Sequence, residues 1–586
     1  MTHNQPIFYI ARLVLETCTP LSIATGRTDG LVDNLIVRDA NGLPAIPGSS
    51  LAGVLRHAYQ DHYDTETPEP INTNDLFGSA KDEDEKGNPS FVHLSWGSLH
   101  DQNDEPIEGL LAPNDKRWDD DILKNAWEPI PVKRDHVKLN HRNVSDAEKQ
   151  GKFERISLTT GHRFSVELSL WSGVNDDPRW QNLLDLLQQP NFRLGGGTRR
   201  GLGQLKIVRC AQGQFDLRQE TDFKHFGELT ESLTDTKHLT ETPLSNGLTP
   251  TTSLRQISIE LTPLEGYRFG GGVETLVDKS EAELLLVTER CVKWQKHVIS
   301  RKGFKNSLWK GTITPKQVLI PASGIKGALS HRVAYHYNAL RQVFADKELT
   351  NRETAHQDVK LHVGEKNEAV RALFGYIQEK DEQQPQQEVA QMGCLIFNDV
   401  YLKRSNQEVQ VVEYPHNGVD RFTGGVREGV LFSEEVVTDT KSFLLDITVV
   451  LPSNQNKTWQ TIKKEGKAHD VWKALQLALN DLIEGRLAIG AGGGRGHGYF
   501  KGSLKEGRKW LEDSLHEPLS KENSTENANC SSLDKIQTSP MNPAQTDSLK
   551  TSISPRYQPS TLPNKTQKRK TQKQKQRKKG SSIKKG

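Results

Sequence analysis

Cysteine is scarce and scattered: Cys18, Cys210, Cys291, Cys394 and Cys530 are the five in 586 residues, and no Cys-x-x-Cys occurs. Such spacing builds neither a disulfide framework nor a thiolate zinc site, so reduced thiols are expected. Long apolar runs are missing too. Hydrophobic residues make up 34% of the chain and its mean hydropathy is −0.66, and no stretch nears the ~20 apolar residues of a membrane helix. The opening residues, MTHNQPIFYIARLVLETC, have no basic start and break their apolar run with Arg12 and Glu16. They do not read as a secretory signal, and a cytoplasmic protein with no membrane partner is expected. At roughly 100 to 200 residues per domain, the length predicts more than one core.

Charge is present in both signs but unevenly spread. Residues 565–586 carry eleven Lys or Arg and no acid, which leaves a net −9 on residues 1–564 out of the chain's +2. A one-signed block interleaved with Gln, Ser and Thr cannot bury enough apolar surface to order itself; it reads as a disordered arm that attracts nucleic acid, with a solubilising tail as the alternative. The acidic remainder requires any contact with phosphate in the body to come from local basic patches.

The chain repeats itself. IPGSSLAGVLRHAY at 46–59 matches IPASGIKGALSHRVAY at 320–335 at Ile46-Pro47 and Ile320-Pro321, Ser49 and Ser323, Gly53 and Gly327, and His57 and His331. In the same order, Leu31-Val32-Asp33 recurs as Leu276-Val277-Asp278, Leu76-Phe77-Gly78 as Leu373-Phe374-Gly375, and GGGTRRGLG at 195–203 as GAGGGRGHG at 490–498. Matches in one order predict a tandem duplication: a first domain at 1–210, a polar linker at 211–255, a second domain at 256–510, and a tail without fold from 511.

Within each half, alternating segments (IFYIARLVL, RFSVELSL, QLKIV; RQISIEL, GCLIFNDVYL, SFLLDITVVL) read as strands with one buried face. Leu51, Val54, Leu55, Ala58 and Tyr59 have helical spacing after Pro47, and Ile325, Ala328, Leu329 and Val333 copy them. Second helices are predicted at about 178–188 and 469–485. The order is βαββαβ, an α+β fold of two tandem ferredoxin-like (RRM-like) domains.

The glycine-rich loops precede each last strand. Their glycines permit close backbone approach, and Arg199, Arg200 and Arg495 offer forks for phosphate. Neither loop is a P-loop, since no Gly-Lys-Ser/Thr follows. A structural turn is the plain reading of one such loop; two copies with an embedded Arg-Gly-x-Gly point towards RNA. Ser49, Ser50, Ser323 and Lys326 open the first helices, where free N–H groups meet phosphate, and Arg56 is nearby; ordinary serine capping fits the same residues. His57 and His331 read as packed side chains.

This ordered set resembles the RAMP superfamily of CRISPR effector subunits, and within it the backbone subunit of type III complexes, in a fused two-copy form. The carrying residues are Asp33 to Asp39, Gly42 to Ser50, both glycine-rich loops, and Val419-Asp420-Arg421-Phe422-Thr423-Gly424-Gly425 with Leu431-Phe432 and Glu435, which resembles the family's thumb hairpin. His136 to Phe164 is a looser first-half counterpart, with Val137 in the thumb. The resemblance covers about 7–209 and 256–503. It implies that Asp33 cleaves target RNA, with Asp278 in the matching place, and that the thumbs (Val137; Val419, Arg421, Phe422) displace one base pair between guide and target. The RNA contacts expected from the residues themselves, as argued above, are Ser49, Ser50, Arg56, Arg199, Arg200, Gly201, Ser323, Lys326, Arg495 and Gly496. Guide RNA, target RNA, and the other RAMP and large subunits of a CRISPR complex are the implied partners.

A carboxylate beside a kinked nucleotide orients a 2′-hydroxyl or holds a divalent ion for in-line attack. An ordinary Asp, with a pKa of about 3.9, is a poor base at neutral pH, so geometry and a divalent metal, Mg2+ or Mn2+, at Asp33 are expected to supply the rate. The segment from 279 to 317 reads as an insertion directly after Asp278, with Glu274 and Glu281 as nearby substitutes. A non-catalytic scaffold and a guide-precursor processing ribonuclease are the alternative functions.

Overall fold

The strand and helix patterns of the first half become β1 (Ile7–Thr17), α1 (Gly48–Tyr63), β2 (Val92–Leu94), a hairpin of β3 (Val132–Val137) and β4 (Lys152–Ser157), then β5 (Arg163–Ser172), α2 (Pro178–Leu187) and β6 (Leu205–Asp216) in a computed structural model. The described residues are 5–516 without 28–33, 64–72, 80–86, 141–143, 146–150, 244–252, 302–303, 345–358, 360, 378–389, 404–408 and 453–455. Asp33 and the basic tail therefore lie outside the described residues. The sheet is antiparallel in the order β2-β5-β1-β6, as a ferredoxin-like βαββαβ fold requires. Leu51, Leu55 and Tyr59 of α1 and Trp180, Leu183, Leu184 and Leu187 of α2 bury against one face of it.

The other face departs from expectation. β1 is buried on both sides because residues assigned to a linker fold back onto it. Here β6 runs on to Asp216, and α3 (Glu220–Gly227) brings Phe226, with Leu217, Leu229 and Leu239, against Phe8, Ile10 and Phe215. The buried Arg12 guanidinium pairs with Glu167 (3.1 Å) and donates to the carbonyl oxygens of Thr230 and Asp235 in the same segment. Composition registered the segment's Thr, Glu and Asp but missed that its few apolar residues are spaced to cover a sheet.

The second half repeats the plan with β7 (Leu254–Pro263), a hairpin of β8 (Val292–Arg301) and β9 (Phe304–Ile313), α4 (Ala322–Leu340), β10 (Leu395–Phe397), the long hairpin β11 (Val409–Val419) and β12 (Val426–Thr440), β13 (Phe443–Val450), α5 (Ala468–Ile483) and β14 (Phe500–Glu506). Its sheet order, β10-β13-β7-β14, is that of the first half. Each half has its own apolar core.

The insertion expected at 279–317 is narrower than the sequence suggested. Val287 N–H donates to Phe269 O (2.9 Å) as Val37 N–H does to Ile23 O (2.8 Å), so the strand expected after the Asp does follow Asp278, and the added chain is the β8–β9 hairpin in place of the tight Asp39–Leu43 turn. That hairpin is a clamp between the halves. Trp294 Nε1–H donates to Gly161 O (2.7 Å), Val292 N–H to Thr160 O (2.9 Å) and Gly311 N–H to Gln102 O (2.7 Å), while the Arg163 guanidinium lies 4.3 Å from the Trp294 ring centre and 4.9 Å from that of Trp309.

Candidate nucleic-acid interface

Where the halves meet, β3 sends the buried Arg134 into the second half. It is held by Glu289 (2.5 Å) and Asp399 (2.7 Å), and Tyr401 donates to Glu289 (2.9 Å). Burial opposes the charge, yet the two carboxylates hold the guanidinium well above its ordinary pKa. This network fixes the root of the first hairpin against the start of α4.

Beside it stands a group of cations that Asp61 and Glu365 offset only from beyond ion-pair distance. The first glycine-rich loop brings Arg199 and Arg200 towards Arg155 on β4 and Lys326 on α4; all four are half-buried. Among the described residues none of the four is within ion-pair distance of a carboxylate, and Arg199 Nε is buried without a hydrogen-bond partner. Among the described residues Lys326 Nζ donates only to the carbonyl of Phe374 (3.0 Å), and Arg200 lies over the Phe153 ring at 5.2 Å. Burial, then the fields of Arg200 and Arg199, push Lys326 down to about 8. Burial and Arg200 lower Arg155, and His136, in the same surroundings, falls to about 4 through burial and then Arg200, Arg134 and Arg155. Like charges crowded with few hydrogen bonds make a site that favours a polyanion.

The second glycine-rich loop has the same shape. Gly195, Gly197, Gly201 and Gly203 and their counterparts Gly490, Gly492, Gly496 and Gly498 all sit at φ between +78° and +91°. Yet Arg495 is already paired: its Nη2 and Nε lie 2.7 and 3.1 Å from the nearest oxygens of the fully buried Glu434, and Arg268 Nε (2.9 Å) and His416 Nε2 (2.8 Å) stand within ion-pair distance of the same carboxylate. The opposed pairs His136–Phe153 and His416–Phe432, with the bridges Leu21–Leu158 and Tyr267–Val437, put the two hairpins in register and set Arg155 at the place of Glu434. Neither residue stood out in the sequence; aligning the two His-to-Phe hairpins would have found both.

Other expected contacts fare unequally. The start of α4 is already filled, since Ala322 N–H donates to Asp399 Oδ1 (2.8 Å) and Gly201 is packed so closely that a Cβ there would lie 2.8 Å from that of Ala322. Gly201 therefore belongs to the joint between the halves, where a carboxylate of the chain occupies the helix end; Ser323, next along the helix, is half-buried. Arg56 is bound to Asn74 (2.6 Å), and the hydroxyls of Ser49, exposed, and Ser50, half-buried, make no hydrogen bond among the described residues. Gly496 is exposed. His57 is exposed as well, its ring nitrogen 2.7 Å from Gly53 O, rather than packed in the core.

The long β11–β12 hairpin carries exposed Val419, Arg421 and a fully exposed Phe422 at its end, where Asp420 accepts from the N–H groups of Phe422 and Thr423 (both 2.9 Å); Val137 is exposed on the first hairpin. At the root of the second hairpin lies the loop with Asp278. Ser280 N–H donates to Val277 O (3.2 Å), closing a turn that has Lys279 at φ +60° and leaves Asp278 exposed, without a hydrogen bond or ion pair among the described residues. Nearby Glu274 is paired with Lys316 and Glu283 accepts from Ser433 N–H (2.7 Å), whereas Glu281 is exposed. One carboxylate is one ligand where a hard cation takes about six, and among the described residues no group of three His, Cys, Asp or Glu gathers. The Asp278 loop thus does not fit a resident divalent ion.

A model of the RAMP superfamily matches residues 14–206 and 307–501, more than half of the chain and once in each half. The chain belongs to the RAMP superfamily. It is a tandem two-copy member, and the membership places it among CRISPR-associated RNA-binding proteins that work in ribonucleoprotein complexes, a family that includes ribonucleases. The second match begins inside β9, so the Asp278 loop falls outside it. No curated protein matches the chain. Among the described residues no helix is long and apolar enough to cross a membrane.

Proposed function

We propose that this tandem RAMP protein is the doubled backbone subunit of a cytoplasmic type III CRISPR effector: both domains hold guide RNA, and the Asp33 and Asp278 loops cut complementary target RNA beside the nucleotides displaced by the hairpins. The observation that carries the RNA-binding part is the cluster of Arg155, Arg199, Arg200 and Lys326, none of which has a carboxylate within ion-pair distance among the described residues, Asp61 and Glu365 acting on it only from farther away, in a body that is otherwise acidic. A phosphodiester at that cluster offsets the mutual repulsion of the cations and gives the guanidinium groups charge-assisted bonds. The cutting part draws on Asp278, an exposed carboxylate, unpaired among the described residues, on a tight turn at the root of a hairpin whose end carries the exposed apolar Val419 and Phe422. Such a carboxylate accepts the hydrogen bond of a 2′-hydroxyl and holds its oxygen in line with the adjacent phosphorus; positioning supplies most of the acceleration.

The test is cleavage of labelled RNA complementary to the guide by complex reconstituted with wild type, Asp33→Ala, Asp278→Ala and the double variant, with and without divalent metal, and with binding followed in parallel. Loss of one product band per single variant, at unchanged affinity, is expected. Survival of every band in the double variant makes the chain a non-catalytic scaffold.

A further inference from the structure

We propose that Glu435 is a positioning residue for target cleavage by the second domain, acting through the Asp278 loop; this rests on the cleavage reading above. Glu435 is fully buried at the root of β12. Its Oε1 accepts from Thr275 Oγ1 (2.5 Å), Leu276 N–H (2.6 Å) and Val277 N–H (3.0 Å), the three residues immediately before Asp278. Its Oε2 has no hydrogen-bond partner among the described residues, so every hydrogen bond of the side chain serves this loop. The main chain adds to the grip, with Glu435 N–H donating to Leu284 O (3.0 Å) and Leu284 N–H to Ser433 O (3.2 Å) on the far side of the turn.

A buried carboxylate is costly unless its hydrogen bonds are made. The loop and the hairpin root therefore share one arrangement, and the turn that presents Asp278 is fixed relative to the hairpin that displaces the nucleotide. Next to it, Glu434 points to the opposite face of the strand and holds Arg268, Arg495 and His416. Two adjacent acids thus tie the glycine-rich loop and the Asp278 loop to one hairpin. Catalytic geometry tolerates little displacement, about 1 Å costing roughly 100-fold.

Single-turnover cleavage by the full reconstituted complex tests this, with the band lost in Asp278→Ala as the readout and the Asp33-dependent band as internal control. Glu435→Ala is expected to slow the Asp278 band about 10- to 100-fold, with target affinity and the control band unchanged. Glu435→Gln, which keeps the accepting oxygen and places its amide where Oε2 makes no bond, is expected to restore the rate to within about threefold. Thr275→Val removes one donor from the exposed side and is expected to slow the same band about three- to tenfold. An Asp278 band unaffected by Glu435→Ala overturns the inference while leaving the cleavage reading standing. If Glu435→Ala unfolds the domain, an unchanged rate in Thr275→Val overturns it instead. No band lost in Asp278→Ala refutes the cleavage reading, and this inference with it.

Discussion

The two glycine-rich loops share the same glycine turns and differ in electrostatics. Both turn through four matched glycines at positive φ, and both present an arginine, Arg200 or Arg495, to the root of a hairpin. In the second half the arginine meets Glu434 and the charge is satisfied within the domain; in the first it meets Arg155, and Lys326 from the other half adds to the excess. One reversed charge at an equivalent position separates a structural ion pair from a cluster of like charges. Loop geometry is a property of the repeat, whereas ligand affinity is set by what faces the loop. The cationic site also needs both copies, since three of its residues come from the first half and one from the second.

The largest effect that would break this contrast is expected from Glu434→Gln. The change leaves Arg268 and Arg495 around a buried amide, and breaking a buried pair of this kind costs about 3 to 5 kcal/mol. Chemical denaturation of the purified chain should show that loss; a change under about 1 kcal/mol would mean that the cluster is solvated and the pairing incidental. The reciprocal change, Arg155→Glu, gives Arg200 the partner that Arg495 has. Stability should hold or rise, while affinity for guide RNA falls about 10- to 100-fold and the salt dependence of binding weakens by about one phosphate or more. Equal affinity and an equal salt slope in the two proteins would place the RNA elsewhere.

The repeat itself was legible in the sequence because glycine and proline are read at fixed offsets: Ile-Pro at 46 and 320 and the two Gly-rich runs align by eye. The helix faces were legible for the same periodic reason, as Leu51, Leu55 and Tyr59 show. What escaped were features that depend on contacts far apart in the chain. The cover over β1 is made by Phe226, Leu229 and Leu239, isolated apolar residues in a polar stretch, and their spacing has meaning only against Phe8 and Phe215. Nothing near the start of α4 in the sequence announced that Asp399, 77 positions after Ala322, takes the Ala322 N–H at the helix end. Glu434 and Glu435 are two ordinary acids on a strand; the period of two sends one to the glycine-rich loop and the other to the Asp278 loop.

The smallest effect sharpens the contrast most, because it has two opposite signs. Lys326 sits at about 8 in the free protein, lowered by burial and by Arg200 and Arg199, against roughly 10.4 in an unfolded chain. Between these values the unfolded chain binds the proton more readily than the folded one, so stability without RNA rises with pH there. A phosphate at the cluster favours the charged lysine and draws a proton back when it binds, so RNA affinity falls as pH climbs through 8, by about tenfold between pH 7 and 9. Lys326→Arg keeps the charge at every pH and should flatten the affinity profile while leaving affinity at pH 7 close to wild type. If the profile stays steep in Lys326→Arg, the titrating group lies elsewhere, and the lysine's low pKa reflects burial without contact to RNA.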